Sequence, residues 1–257
     1  MTEPTVLYEV KNQIAYITLN RPKKLNAFNL EMSYALRDTW KRFEKDKNAL
    51  VAILSGNGKS FSVGVDLTDE DRKTGKPWQY HESYPLNGIS LFKPIVGAVR
   101  GFVLGQGYLI GVWGCDITIA SENATFGYPE GKAGVSQIPP NYVPYMPFKI
   151  ALEFMLLSWK GGRMMNAQRA YEVGLVNKVV PDSELMDEAV KWAEMLKGVP
   201  PLYVKSVKYG YYMGTERPGR KTEREYVDFV MPQEISQDKQ EAIRAFIEKR
   251  EPRFKGK

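Results

Sequence analysis

The sequence has one cysteine, Cys115, one histidine, His81, and no apolar run approaching the roughly 20 residues that span a bilayer. A single cysteine excludes a disulfide framework and suits a reducing compartment. The lone histidine sits in a polar, loop-like stretch and reads as a surface residue rather than a catalytic one. The opening Met1-Thr-Glu-Pro-Thr5 lacks the basic-then-apolar order of a signal peptide, so the expected location is cytoplasmic. Low-complexity segments and short repeats are absent too. So is a contiguous basic block. The net charge is +6, but the basic residues between Lys205 and Lys257 are interrupted by Glu216, Glu223, Glu225 and Asp228. A nucleic-acid footprint needs one continuous basic face, so the pattern reads as a solvated surface.

What is present is an ordinary globular balance: 43% hydrophobic and 26% charged residues, enough to build a core without staples. A length of 257 residues fits one large domain or a domain with an appendage. Val6–Val10 and Ile14–Leu19 read as strands about a turn at Lys11–Gln13, and Arg21-Pro22 ends the second. From Asn29 the period changes. Met32, Leu36, Trp40 and Phe43 fall on one helical face, with Asn29 as N-cap and Glu31 in the first turn. Val51–Ser55, Ile95–Val99 and Ile117–Ala120 read as buried strands, and Gly105–Val112 as a helix. Helices are expected at Ala167–Val173, Leu185–Leu196 and Asp238–Lys249, the last with Ala242, Ile243 and Phe246 on one face. Strands alternating with helices imply crossover connections and a largely parallel α/β sheet. The stretch between Asp66 and Pro94 is a long excursion of the kind that is often functional.

Three segments, in this order, carry a family resemblance. They are Asn20-Arg-Pro-Lys-Lys-Leu-Asn-Ala27, Phe61-Ser-Val-Gly-Val-Asp-Leu67, and the run from Lys93 through Gly105-Gln-Gly107 to Phe126-Gly-Tyr-Pro-Glu130. Ala170–Asn177 and Ala245–Arg250 add supporting matches. Together they resemble the crotonase (enoyl-CoA hydratase/isomerase) family over nearly the whole chain. The resemblance implies a ββα spiral core over residues 1–195 that binds acyl-CoA. It also implies a C-terminal helical region over 196–257 that caps CoA and supports a homotrimer or hexamer. No metal and no cofactor beyond the substrate's CoA are implied, and a moderately basic surface suits the CoA phosphates.

Family members hold the thioester oxygen, as it becomes an enolate, with two backbone N–H groups; the resemblance places these on Val65 and Gln106. Gly64 permits the turn that aims the first, and the start of a helix supplies the second. Gln106 departs from the family's usual glycine but keeps the backbone donor. The resemblance places the acid–base glutamate on Glu130, which suits proton transfer if an apolar pocket raises its pKa. The family's other glutamate aligns with Leu109, which cannot move a proton. That favours double-bond isomerisation or hydration through one glutamate. An ordinary enoyl-CoA hydratase, or a non-catalytic CoA- or RNA-binding relative, stands as the alternative. Tyr108, Tyr128 and Tyr142 are possible polar partners, and Gln137–Pro144 replaces a glycine-rich turn. Lys24, Ala27, Val63, Gly64, Asp66, Leu67, Gly105, Gly107, Leu109 and Lys249 are expected along the substrate, with the two lysines on phosphate. Thr68 stands where some relatives carry a CoA-contacting lysine. Trp78, Tyr80 and Tyr84 are candidates to close the acyl pocket.

Overall fold

The structure, a computed structural model, describes residues 3–70, 83–84, 91–132, 146–159, 162–208 and 237–250. His81, Trp78, Tyr80, Tyr142 and the Gln137–Pro144 segment lie outside them. Two compact units emerge, one of residues 1–126 with 165–209, the other of residues 127–164 with 210–257.

The first unit is built on a six-stranded sheet. Strands β1 (Val6–Lys11) and β2 (Ile14–Leu19) form an antiparallel hairpin. Asn12 and Gln13 both take positive φ, the condition for a two-residue turn that follows the strand twist. From β2 onward the pairing is parallel through β3 (Val51–Gly56), β4 (Ile95–Val99), β6 (Ile117–Ser121) and β9 (Lys178–Val180). The expected crossover grammar is realised. Helix α1 (Leu30–Lys45) buries Met32, Leu36, Trp40 and Phe43, and Asn29 caps it by accepting from the Met32 N–H at 3.0 Å. A short second sheet, β5 (Phe102–Leu104), β7 (Thr125–Gly127) and β8 (Met165–Asn166), was not among the strands expected from periodicity.

One face of the large sheet, with Ile14, Val51, Ile53, Val96, Ala98, Ile119 and Val180, packs on a later helix (Leu185–Lys197) through Leu185, Ala189 and Ala193. Small residues on that helix let it sit close to the strands, and each large side chain buried on the sheet contributes about 1.5–3 kcal/mol. At the strand entrances, Asp116 accepts from the Ile95 N–H at 2.7 Å and from Lys208 Nζ at 2.8 Å. This ties β4 and β6 to the helical residues 201–208.

The expected helix over Gly105–Val112 is a hybrid. Helix α2 (Gln106–Tyr108) runs at once into a π-turn, Leu109–Trp113, closed by the Gly114 N–H on the Leu109 carbonyl at 2.8 Å. The widened turn turns carbonyls outward, and they are met there. Cys115 Sγ reaches the Ile110 oxygen at 3.3 Å, and Thr118 Oγ1 the Gly111 oxygen at 3.2 Å. Gly111 itself faces the Phe61 ring so closely that a Cβ would lie 2.4 Å from it.

In the second unit, α3 (Phe148–Leu157) is an element that periodicity does not assign, because its apolar residues run nearly all round. Helix α4 (Ala167–Glu172) and α5 (Leu185–Lys197, the helix on the sheet) belong to the first unit, and α6 (Gln237–Ile247) to the second. The expected apolar face of α6 is only partly realised. Ala245 is buried, while Phe246 is 65% exposed.

Candidate active site

Two loops of the first unit interlock. In the first, Asn26 is fully buried; its Nδ2 donates to the carbonyls of Asn57 and Ser60, both at 2.9 Å, and its Oδ1 accepts from the Arg21 N–H. Leu25 and Asn26 take left-handed backbone angles, so the Asn20–Ala27 loop turns tightly around that amide. Arg21 reaches across with one guanidinium nitrogen on the Ala27 carbonyl and the other 3.1 Å from Asp66 Oδ2. Burial opposes ionisation of Asp66, but bonds from Thr68 and Arg21 outweigh it and hold its carboxyl below the usual range.

The second loop presents Val65. Phe28 donates to the Gly64 carbonyl and accepts from the Asp66 N–H, both at 2.8 Å, in a parallel bridge. That pattern turns the Val65 N–H to the opposite side, where no acceptor meets it among the described residues. Gly64, at φ +93°, makes the turn possible. A Cβ on Gly64 would sit 3.1 Å from the Leu104 carbonyl and 3.5 Å from the Gln106 amide nitrogen. The two segments are therefore neighbours, and the Gln106 nitrogen lies at the Gly64 turn.

Gly105 precedes the helix with φ 51° and ψ −120°, a conformation suited to glycine. On the other side, a Cβ at Gly107 would come within 2.7 Å of Ser62 Cβ and 2.8 Å of its carbonyl. Between these glycines Gln106 is 2% exposed, and its side-chain amide donates to Ser83 Oγ at 2.7 Å. Sequence reading assigned Gln106 its backbone donor but not this partner, which lies in the excursion. Leu109 is buried beside it at 3% exposure. Burial also pushes the Tyr108 phenol well above its ordinary range, so it stays protonated at any working pH.

Glu130 belongs to the second unit. It sits in a 3₁₀ turn, Pro129–Gly131, whose proline presets the first backbone angle. The turn is held to the end of α3. The Tyr128 N–H donates to the Ser158 carbonyl at 2.9 Å and to its Oγ at 2.8 Å, and Lys132 lies 4.2 Å from the Trp159 ring centroid. Gly131 passes so close that a Cβ would meet the Met155 carbonyl at 2.9 Å. Glu130 Oε2 is shielded from solvent and makes no hydrogen bond among the described residues. Burial pushes the carboxyl up to about 7, against a weaker opposing bond from its own backbone N–H.

Lys24, Ala27, Val63, Gly64, Val65, Asp66, Leu67, Gly105, Gln106, Gly107 and Leu109 thus all fall in the first unit, on the interlocked loops and the helix start. Lys24 is exposed and Ala27 buried. Glu130 and Lys249 fall in the second; Lys249 is exposed and lies in the turn after α6, with a φ of 55°. Tyr84 is 8% exposed. Among the described residues no three histidine, cysteine, aspartate or glutamate side chains gather as a metal site, and no helix is long and apolar enough to cross a membrane.

The profile of the enoyl-CoA hydratase/isomerase family matches residues 9–257. The chain belongs to that family. An (E)-benzylidenesuccinyl-CoA hydratase from Thauera aromatica is 33% identical over 98% of this chain and 99% of its own length. A carnitinyl-CoA dehydratase from Salmonella enteritidis is 33% identical over 95% of each chain. The crystal structure of a carnitinyl-CoA hydratase from Mycobacterium avium, 30% identical, superposes over the whole of both chains with a TM-score of 0.85. The fold is therefore the crotonase fold, and the chain is an acyl-CoA enzyme of the hydratase/isomerase family.

Proposed function

We propose that this family member adds water reversibly across the 2,3 double bond of an enoyl-CoA thioester, with Glu130 as its only acid–base residue. The observation that carries the reading is the Glu130 carboxyl, shielded from solvent at Oε2 with no partner there among the described residues, and raised to about 7, where it can both take and return a proton. The Val65 and Gln106 N–H groups are assigned to the thioester oxygen, where a single such donor is worth about 2.7–4 kcal/mol in the transition state. Water loses a proton to the Glu130 carboxylate as its oxygen bonds C3. The π electrons move onto the thioester as an enolate, and the same proton then passes from Glu130 to C2. Dehydration is the reverse. Water chemistry is supported by the relatives' names, which are those of hydratases and a dehydratase.

A second reading, isomerisation of a 3-enoyl thioester, is favoured by one residue. Leu109 is apolar and buried where the resemblance places a second glutamate, and shuttling a proton from C2 to C4 needs only Glu130. The substrate's own CoA is the only cofactor either route requires, with Lys24 and Lys249 assigned to its phosphates. A cytoplasmic location and a homotrimer or hexamer complete the proposal. Assembly is supported by the stripe Phe148, Leu152 and Leu156 on α3, exposed by 67%, 41% and 63%.

The test is incubation with straight-chain and bulky 2-enoyl- and 3-enoyl-CoA thioesters in deuterated water, followed by mass. Hydroxyacyl-CoA from the 2-enoyl substrates is the expected product. Shifted double bonds without added water would replace hydration by isomerisation, and unchanged thioesters throughout would contradict both.

A further inference from the structure

The peptide that carries the Gln106 N–H is held on its carbonyl side, where the Gly105 oxygen accepts from the Leu109 N–H at 3.1 Å, but the glycines that flank Gln106 bring no side chain to fix it further. Gly105 has no Cβ to limit its torsions, and Gly107 is placed by contact with Ser62 rather than by a side chain of its own. An N–H donor in such a turn is useful only if its direction is held, since preorganisation is the source of its effect. The structure contains a holder. Gln106 Nε2 donates to Ser83 Oγ at 2.7 Å, and the Ser83 carbonyl accepts from Trp40 Nε1 at 3.0 Å. Trp40 and Ser83 are fully buried, and Trp40 is a core residue of α1. Two buried hydrogen bonds therefore run from the core helix to the residue that carries the donor.

We propose that Gln106 is a positioning residue, whose side chain is clamped by Ser83 and thereby fixes the direction of its own backbone N–H toward the thioester oxygen. This rests on the assignment of that N–H to the enolate oxygen. A glycine at this position would retain the donor and lose the clamp; a serine at 83 is the acceptor on which the clamp depends. The clamp acts through the direction of the N–H, so its expected effect falls on stabilisation of the enolate and not on capture of the CoA portion. Loss of one net hydrogen bond corresponds to about fivefold.

The probe is acetoacetyl-CoA, whose enolate absorbs in the near ultraviolet where its keto form does not. Bound to the native enzyme, the enolate-to-keto ratio at fixed pH is expected to exceed that in solution. Ser83→Ala and Gln106→Gly are each expected to lower that ratio about fivefold, while affinity for the saturated butyryl-CoA stays within about twofold. The double variant should be no worse than Gln106→Gly, because both remove one interaction. Ser83→Thr, which keeps a hydroxyl, should restore the ratio and guards against a variant that merely folds poorly. An unchanged ratio in Ser83→Ala, or additive losses in the double variant, would overturn the clamp while leaving the donor assignment standing. A native enzyme that binds acetoacetyl-CoA without raising its enolate fraction, or that binds no CoA thioester, would overturn the donor assignment and the clamp together.

Discussion

At the scale of single residues, the role proposed for Glu130 sets stability against activity. Its carboxyl is raised from 4.5 to about 7 by burial. The folded state therefore binds more protons than the unfolded state between those values, and stability falls as pH rises through the interval. Above pH 7 the full cost is present, up to about 3 kcal/mol. Glu130→Gln should accordingly raise the melting temperature at pH 8 and change it little near pH 4.5. The same substitution should lower turnover by about 10²–10⁴-fold, as removal of a general base does. A variant that loses stability equally at both pH values would contradict a carboxyl raised by its shielding from solvent. Leu109→Glu tests the missing acid: hydration should rise if a second proton donor limits it, at a cost in stability for burying a carboxylate. Equal hydration rates in a folded variant would show that one glutamate suffices unaided.

At the scale of elements, the site segments depend on close approach. Gly107 has no room for a methyl group against Ser62, so Gly107→Ala should lower stability by about 1–3 kcal/mol and reduce turnover together. A thermal melt and a rate measurement on the same preparation check it; an unaffected rate would mean that the helix start does not serve the reaction. How much of this was legible depends on distance along the chain. The Asn29 cap, the apolar strands and the α1 face are local patterns, and they appear where periodicity places them. The bonds Gln106–Ser83 and Tyr128–Ser158 join residues 23 and 30 positions apart, which no local pattern marks. The strands β5, β7 and β8 hold two or three residues each, too few to alternate visibly. The π-turn after Tyr108 lies against Phe61 through Gly111, again a long-range approach that no local pattern marks. The candidate site itself is legible only through the resemblance, because the roles proposed for Val65 and Gln106 belong to main-chain atoms that have no residue signature.

At the scale of the whole molecule, the exposed stripe on α3 carries the assembly proposal. Leu152→Lys combined with Leu156→Lys should shift a trimer or hexamer toward smaller species in light scattering, and an unchanged mass would place the interface elsewhere. The reaction as a whole offers the most direct measurement of the central claim. With one glutamate, hydration and dehydration both begin from the Glu130 carboxylate, whereas two glutamates require one ionised and one protonated. Turnover should therefore rise with pH along a single limb near 7 in both directions, and level off. A bell-shaped profile that Leu109→Ala leaves intact would reveal a second acid among other residues and contradict the one-glutamate account.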